Sequence, residues 1–390
     1  MANRVELSDI QQKELIAFRR RFHTYPELSY EERETARAVY EQLEVLGMEP
    51  EMMADTGVVA VLDSGRPGRT VMLRADTDAL PVQEENTHAY RSQNDGVMHA
   101  CGHDGHTAIM LSVARWLKES GALQQGRVLF VFQPAEELAG GAKAMIEAGL
   151  FETYKPDCCA GLHLWSLAPT GTILVTDGPF MASADQFEIT VNGQGGHGGI
   201  PHEAKDPIVA AAQMVVALQS VVSRAMDPAD SVVVTIGQIS GGEAFNVIPD
   251  SVRFSGTVRT FQASAQDAVE DSIRRIVTGI AQAMGLDVDI NYTRMTVPTV
   301  NDARYAGVVR QVVEESSTMT LGEPGFRTMA GEDMAYFLNE CPGIYFFVGA
   351  GNEAVGAQYP HHHPCFEIDE AALPFGVELL CEFALRCTLD

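Results

Sequence analysis

Four short apolar runs dominate the first half of the chain, at residues 58–62, 70–74, 127–132 and 158–163. Each is too short for a buried helix and too continuously apolar for a strand with one wet face, so each reads as a strand covered on both sides. Helical patterns lie around and between them. Leu15, Phe18 and Phe22 share one face of a first helix, and a second is expected over residues 31–46, closed by Gly47. Further helices are expected near residues 105–118 and 141–147. Strands separated by helices predict an α/β fold with a mostly parallel sheet.

The middle of the chain has a different rhythm. A strand at 184–191 is followed by a helix with Asp206 as cap and Pro207 in its first position. Strands at 231–239 and 250–260 come next. A helix opening on the capping pattern Ser264-x-x-Asp267 carries Ile273, Ile276, Ile280 and Met284 on one face, and a strand at 287–292 ends the series. That order, β-α-β-β-α-β, is ferredoxin-like. It predicts a lid or dimerisation domain at 183–295, inserted into a discontinuous catalytic domain made of 1–182 and 296–390. At 390 residues, two domains are also the natural expectation from length.

Fifty-three acidic against 27 basic residues give a formal net charge of −26, a field that repels phosphate backbones and anionic membranes. Nucleic acid and lipid surfaces are therefore disfavoured as partners. Residues 1–21 are polar and helical in pattern, without an apolar signal region. Seven cysteines, an odd number with no framework spacing, point to a reducing, cytoplasmic setting.

The chemistry-bearing residues cluster where strands run out, which is where open α/β sheets place their ligands. In Met98-His99-Ala100-Cys101-Gly102-His103, Cys101 and His103 sit two apart in a glycine turn before a helix, a spacing from which both can reach one metal. A structural cysteine beside a solvated histidine would look similar. Gln133-Pro134-Ala135-Glu136-Glu137 follows an apolar strand directly. Two adjacent carboxylates can face one site only where the strand has ended, as Pro134 and Gly140-Gly141 indicate. One could then bind metal while the other handles protons. His163 closes another apolar run, Asp76 and Asp78 close a third, and His361-His362-His363-Pro364 lies far downstream.

The strings RADTDALP, MHACGHDGHTA, QPAEE, HLW, GGHG, NVIP, GEDMAYF and HHPCFEIDE occur here in that order, after an opening RRFHTYPEL. Together they resemble the M20 metallopeptidase superfamily, in its amidohydrolase branch of aminoacylases, hippurate hydrolases and auxin-conjugate hydrolases. The resemblance implies two divalent metal ions per subunit, manganese or zinc, with cobalt or nickel as further options. It implies Cys101 as the bridging ligand, His103 and His163 completing one metal, and Glu137 and His362 the other. His361 and His363 are then bystanders. It makes Glu136 the general base and Asp76 the carboxylate that orients a ligand imidazole, with Arg74 standing where other branches have a ligand histidine. From the inserted domain, His197 would stabilise the oxyanion in the partner subunit's site, Asn246 would assist it, and Arg259 would clamp the substrate carboxylate. A strand-surface ion pair is the bland alternative for Arg259. The implied activity is hydrolysis of N-acyl-L-amino acids by a homodimer, with a tetramer as the larger option. Competing readings are a dipeptidase, a thiol hydrolase with Cys101 as nucleophile and His103 as base, and a non-catalytic metal-binding protein.

Overall fold

The computed structural model describes residues 5–389, so residues 1–4 and 390 at the ends of the expected domains lie outside it. The chain divides into two compact units: Met1–Phe180 with Val300–Arg327 and Asp333–Asp390, and Met181–Thr299 with Thr328–Glu332.

The strands of the first unit before the insertion are β1 (Glu51–Met53), β2 (Gly57–Asp63), β3 (Thr70–Asp76), β4 (Arg127–Gln133), β5 (Cys158–Pro169) and β6 (Thr172–Leu174). The second unit contributes β7 (Ala184–Asn192), β8 (Val232–Ser240), β9 (Ser251–Thr260) and β10 (Asp287–Thr296). The first unit resumes with β11 (Thr320–Leu321) and β12 (Gly343–Gly351). The helices used below are α1 (Asp9–Thr24), α2 (Arg33–Val45), α3 (His103–Ser120), α4 (Gly141–Glu147), α5 (Pro207–Ser220), α6 (Ala263–Met284), α7 (Ala303–Glu315) and α8 (Leu373–Cys387).

The first unit is built on an eight-stranded sheet in the order β1-β2-β4-β3-β5-β12-β6-β11. Its centre, β4-β3-β5-β12, is parallel throughout. Its margins are not: β1 pairs with β2, β2 with β4 and β6 with β12 in antiparallel register. The three residues between β1 and β2 leave no room for a crossover helix, so that edge turns back on itself. All seven residues of β3 are buried, as the continuous apolar run requires. Helix α3, buried along nearly its whole length, lies against the sheet with α1 and α8 beside it. Leu15 and Phe22 of α1 enter that core, and a capping box between Ser8 and Gln11 starts the helix.

The second unit has one four-stranded antiparallel sheet, β8-β9-β7-β10, with α5 and α6 packed on its apolar face. Phe187, Ile189 and Val191 alternate inward along β7, the period expected of a half-buried strand. Asp206 caps α5 as expected, accepting from the Ile208 and Val209 N–H groups. Helix α6 corrects one expectation: its N-cap is Gln262, and Ser264 lies inside the first turn. Apolar spacing located that helix, but a capping string could not mark its start. The stretch Pro207–Ala225 has a composition apolar enough for a membrane span. Here Ala210, Ala211, Met214 and Leu218 are buried in the unit's core, while Val216 and Ile208 stay exposed.

The turn from β4 into α4 is the tightest part of the frame behind the carboxylate pair. A Cβ on Gly141 would lie 1.6 Å from the Pro134 carbonyl oxygen, and Ala135 holds a left-handed φ of 51°. Gly141→Ala must therefore push the turn open. A loss of about 1–3 kcal/mol is expected, from the usual cost of overpacking a core. It should appear as a lower unfolding midpoint in urea, with reduced activity; an unchanged midpoint would mean that the turn is looser than described.

Candidate metal centre

Each candidate residue is delivered by a strand end or a glycine turn. Strand β3 ends at Asp76, and Asp78 follows two residues later. Gly102, at φ 96°, turns the chain from Cys101 into α3, so that His103 begins the helix. Beyond β4, the Ala135 N–H donates to the buried carboxylate of Glu32 (2.8 Å) and the Glu137 N–H to Asp78 (3.0 Å). His163 stands midway along β5, in register with Phe347 of β12. His362 has a left-handed φ of 67°, and its N–H donates to the Ala100 carbonyl at 2.7 Å, tying this distant segment to the residue before Cys101.

These elements bring together two triads of donor atoms that share one sulfur. Cys101, His103 and His163 form one, Cys101, Glu137 and His362 the other, and within each the donors lie within 4.8 Å of one another. The Cys101 Sγ is 3.4 Å from His163 Nε2. Glu137 Oε1 is 3.5 Å from His362 Nε2 and 3.9 Å from His103 Nε2. Glu136, half-buried in the same turn, groups with His103 and Glu137.

The imidazoles are held from behind. His103 donates from Nδ1 to the Asp78 carbonyl (2.9 Å), with the Asp78 carboxylate at 3.2 Å, and His163 donates from Nδ1 to the Leu164 carbonyl (2.9 Å). Both therefore keep Nε2 directed at the cluster, the arrangement that fixes tautomer and orientation for a metal ligand. His103 Nε2 and Glu137 Oε1 are buried without a hydrogen-bond partner, a costly state that a cation would relieve. The residues present thus fit a pair of divalent ions. His106 is different: Nδ1 donates to Asp76 (2.6 Å) and Nε2 accepts from the Leu164 N–H (2.9 Å), so neither nitrogen is left for a metal.

Charge follows the same logic. Burial pulls the His103 pKa down, but the carboxylates of Asp76, Asp78 and Glu137 outweigh it and push it up to about 10. Burial, with Glu137 and Glu136 nearby, holds the Cys101 thiol well above its ordinary value. His163 is driven the other way by burial and by neighbouring His106 and His361, and is neutral.

One contact differs from the expected one. Asp76 bonds to His106 and Arg74, with His103 Nε2 3.7 Å away, while Asp78 accepts from His103. Asp76 ends the strand and Asp78 follows it, and only the turn between them decides which faces His103. Arg74 is buried and pairs with Asp76 (2.7 Å) and Asp333 (3.0 Å). Asp333 also accepts from Gln133 and from the Ala142 N–H, yet it drew no role from sequence although it lies in the GEDMAYF string. His361 stacks on Trp165 with ring centroids 4.6 Å apart and bonds to the Leu164 carbonyl. His363 stacks on Tyr359.

His197, Asn246 and Arg259 belong to the second unit. His197 is exposed, and its Nδ1 accepts from the Gly199 N–H at 2.9 Å, leaving the proton on Nε2. The Asn246 carbonyl holds the Gly198 N–H at 2.8 Å. Arg259 is half-buried and bonds to Thr257 Oγ1 and the Val258 carbonyl. Burial holds its pKa below the ordinary value, and the nearby Asp185 carboxylate opposes that shift.

Comparison with known proteins points one way. The family model described as peptidase family M20/M25/M40 matches residues 72–386. An N-acetyl-L-cysteine deacetylase of Bacillus subtilis is 39% identical over 386 residues, covering 99% of this chain and 90% of its own. Thermostable carboxypeptidase 1 of Saccharolobus solfataricus is 40% identical over 367 residues, covering 93% and 92%. Among solved structures, a dinuclear metal-binding peptidase of the M20 family from Bacillus subtilis superposes with a TM-score of 0.85 at 34% identity, covering 98% of this chain and 99% of that one.

Metal entry must displace protons from Cys101 and His103, because both hold them at neutral pH. Calorimetric titration of the metal-free protein at pH 7 in buffers of differing ionisation enthalpy should therefore register release of about two protons. Affinity should rise with pH across the neutral and mildly alkaline range, because both groups stay protonated there. Uptake without proton release would refute the ligand set.

Proposed function

The chain belongs to peptidase family M20/M25/M40, and from that footing we propose that it is a metal-dependent amidohydrolase that cleaves the amide bond of N-acyl-L-amino acids. The observation that carries the reading is the pair of donor triads sharing Cys101, with Glu136 in the same turn as Glu137. In this reading Cys101, His103 and His163 hold one ion and Cys101, Glu137 and His362 the other. A mixed thiolate, imidazole and carboxylate set suits manganese or zinc and accommodates cobalt or nickel. Such ions polarise the amide carbonyl and make a water acidic enough to ionise at neutral pH.

The remaining work falls to side chains. Glu136 accepts the proton of the attacking water and passes it to the departing amine. His197, with its proton on Nε2, donates to the oxyanion, a contribution typically worth about 2.7–4 kcal/mol, and Asn246 steadies the His197 loop through the Gly198 N–H. Arg259, which hydrogen-bonds to Thr257 and the Val258 carbonyl, takes the substrate's carboxylate in a two-pronged contact. The thiol-hydrolase alternative is disfavoured, since Cys101 is held protonated by burial and by acidic neighbours.

A dipeptide offers the same amide and the same terminal carboxylate, and the likeness to a carboxypeptidase keeps it as the second reading. A homodimer in which His197 serves the partner's site is part of the proposal; the exposed Ile208, Val209 and Val216 of α5 offer an apolar face for a second copy. A reducing, cytoplasmic setting suits seven cysteines, none in a disulfide among the described residues.

Glu136→Gln should retain both metals and lose at least about 100-fold in kcat, the lower end of general-base contributions. Substantial remaining activity on acetyl- and benzoyl-amino acids and on dipeptides alike would reject the assignment. His197→Ala and Glu136→Gln chains, each inactive alone, should regain partial activity when dissociated and reassociated together. No recovery in verified heterodimers would confine His197 to its own subunit or to no catalytic role.

A further inference from the structure

Away from the centre built on Cys101, a second group of side chains in the first unit brings imidazole nitrogens and carboxylate oxygens to ligand spacing. His23 Nε2 lies 3.2 Å from Glu84 Oε1. His88 Nε2 lies 3.2 Å from the same oxygen and 3.0 Å from Glu367 Oε2. The donors of His23, Glu84 and His88 all fall within 4.8 Å of one another. His23 is fully buried, Glu84 and Glu367 nearly so, and His88 is one-fifth exposed at its side chain.

Hydrogen bonding accounts for His23 only if both of its ring nitrogens carry protons, Nδ1 for Asp104 and Nε2 for Glu84. His23 Nδ1 is 2.8 Å from Asp104 Oδ2, and a carboxylate there takes the ring's N–H. A ring with a single proton, on Nδ1, leaves the Nε2 lone pair facing the Glu84 oxygen across a gap that a cation can fill. His88 Nε2 is buried between two carboxylate oxygens but aligned with neither, so an N–H on it would point past both. The charges fall short in the same sense. Asp104, Glu84, Glu367 and Glu370 contribute four negative charges, and Arg19 and Arg20 supply two positive ones by direct ion pairs. Two further positive charges balance the group, supplied either by protons on His23 and His88 or by one divalent ion.

We propose that His23, Glu84, His88 and Glu367 form a third metal site, for a single divalent transition ion of the zinc type. Ligand atoms at bonds of about 2.0–2.1 Å in a tetrahedron stand roughly 3.3–3.4 Å apart, close to the three donor spacings given above. Further groups hold the ligands in place. Asp104 orients His23, the Ser92 N–H and Asn86 Nδ2 hold Glu84, and Arg19 and the Tyr90 hydroxyl hold Glu367. His23, Glu84 and His88 stand at mutual ligand spacing and Glu367 reaches His88, so the proposed ligands all come from the protein and the site is structural. It fastens the end of α1, the 84–88 loop and the segment at Glu367 to Asp104, which follows His103 at the start of α3. The competing arrangement fills the same space with two imidazolium protons.

Metal counting separates them. The full chain, stripped with chelator, saturated with zinc and dialysed, should carry three equivalents per subunit by mass spectrometry, and His88→Asn should carry two. A Cys101→Ala, His163→Ala chain should keep one equivalent, visible on cobalt substitution as a tetrahedral absorption band that disappears when His88→Asn is added. Saturation of the wild-type chain at two equivalents, unchanged by His88→Asn, overturns the proposal even if variants at His23 fail to fold. One wild-type equivalent that depends on His88 would instead remove the two-metal reading and leave this site standing.

Discussion

Carboxylates at the ends of buried parallel strands have no water to stabilise their charge, and much of this fold consists of the cations and N–H donors that replace it. Asp76 and Asp333 are both fully buried and are bridged by one buried guanidinium, Arg74. Through Asp333 the bridge reaches Gln133 at the end of β4 and the Ala142 N–H in the first turn of α4. A single ionic node therefore fixes the last residue of β3, the last residue of β4 and the turn that carries Glu136 and Glu137. Removing one member would leave an uncompensated charge in the interior, which costs far more than the intact pair contributes.

The metal centre extends the same electrostatics one layer outward. Asp78 is held by Ser29 and the Glu137 N–H, and it in turn holds His103. Each proposed imidazole ligand of the first triad has its Nδ1 tied to an acceptor, so its Nε2 has one direction left to face. Negative charge accumulates there, which is why His103 holds its proton so firmly, and Glu137 Oε1 is buried there without a hydrogen-bond partner. The site is built to exchange protons for divalent ions. Glu136, half-buried beside these groups, keeps the access to water that its proposed role as proton carrier requires.

The two units divide the work along physical lines. The first, with a parallel sheet covered by helices, can bury charged groups deeply enough to shift their pKa values. The second, a half-buried antiparallel sheet, offers instead exposed loops whose polar groups are oriented by local backbone bonds, as in His197 with Gly199 and Asn246 with Gly198. Both patterns follow from how much of each sheet is covered.

Local pattern sufficed where a property depends on near neighbours in the chain. Continuous apolar runs announced the central strands, alternation announced β7, and the Cys101-Gly102-His103 turn and the Glu136-Glu137 pair after β4 were legible because their geometry is set within a few residues. Apolar spacing located α6, though its first turn begins before the capping string that seemed to mark it. What sequence alone did not decide was every pairing across the fold. Whether Asp76 or Asp78 faces His103, that Asp333 shares Arg74 with Asp76, and that Asp104 meets His23 and Arg19 all depend on segments hundreds or tens of residues apart. Those contacts exist because a buried charge must find a partner, and only the packed tertiary structure determines which one lies within reach.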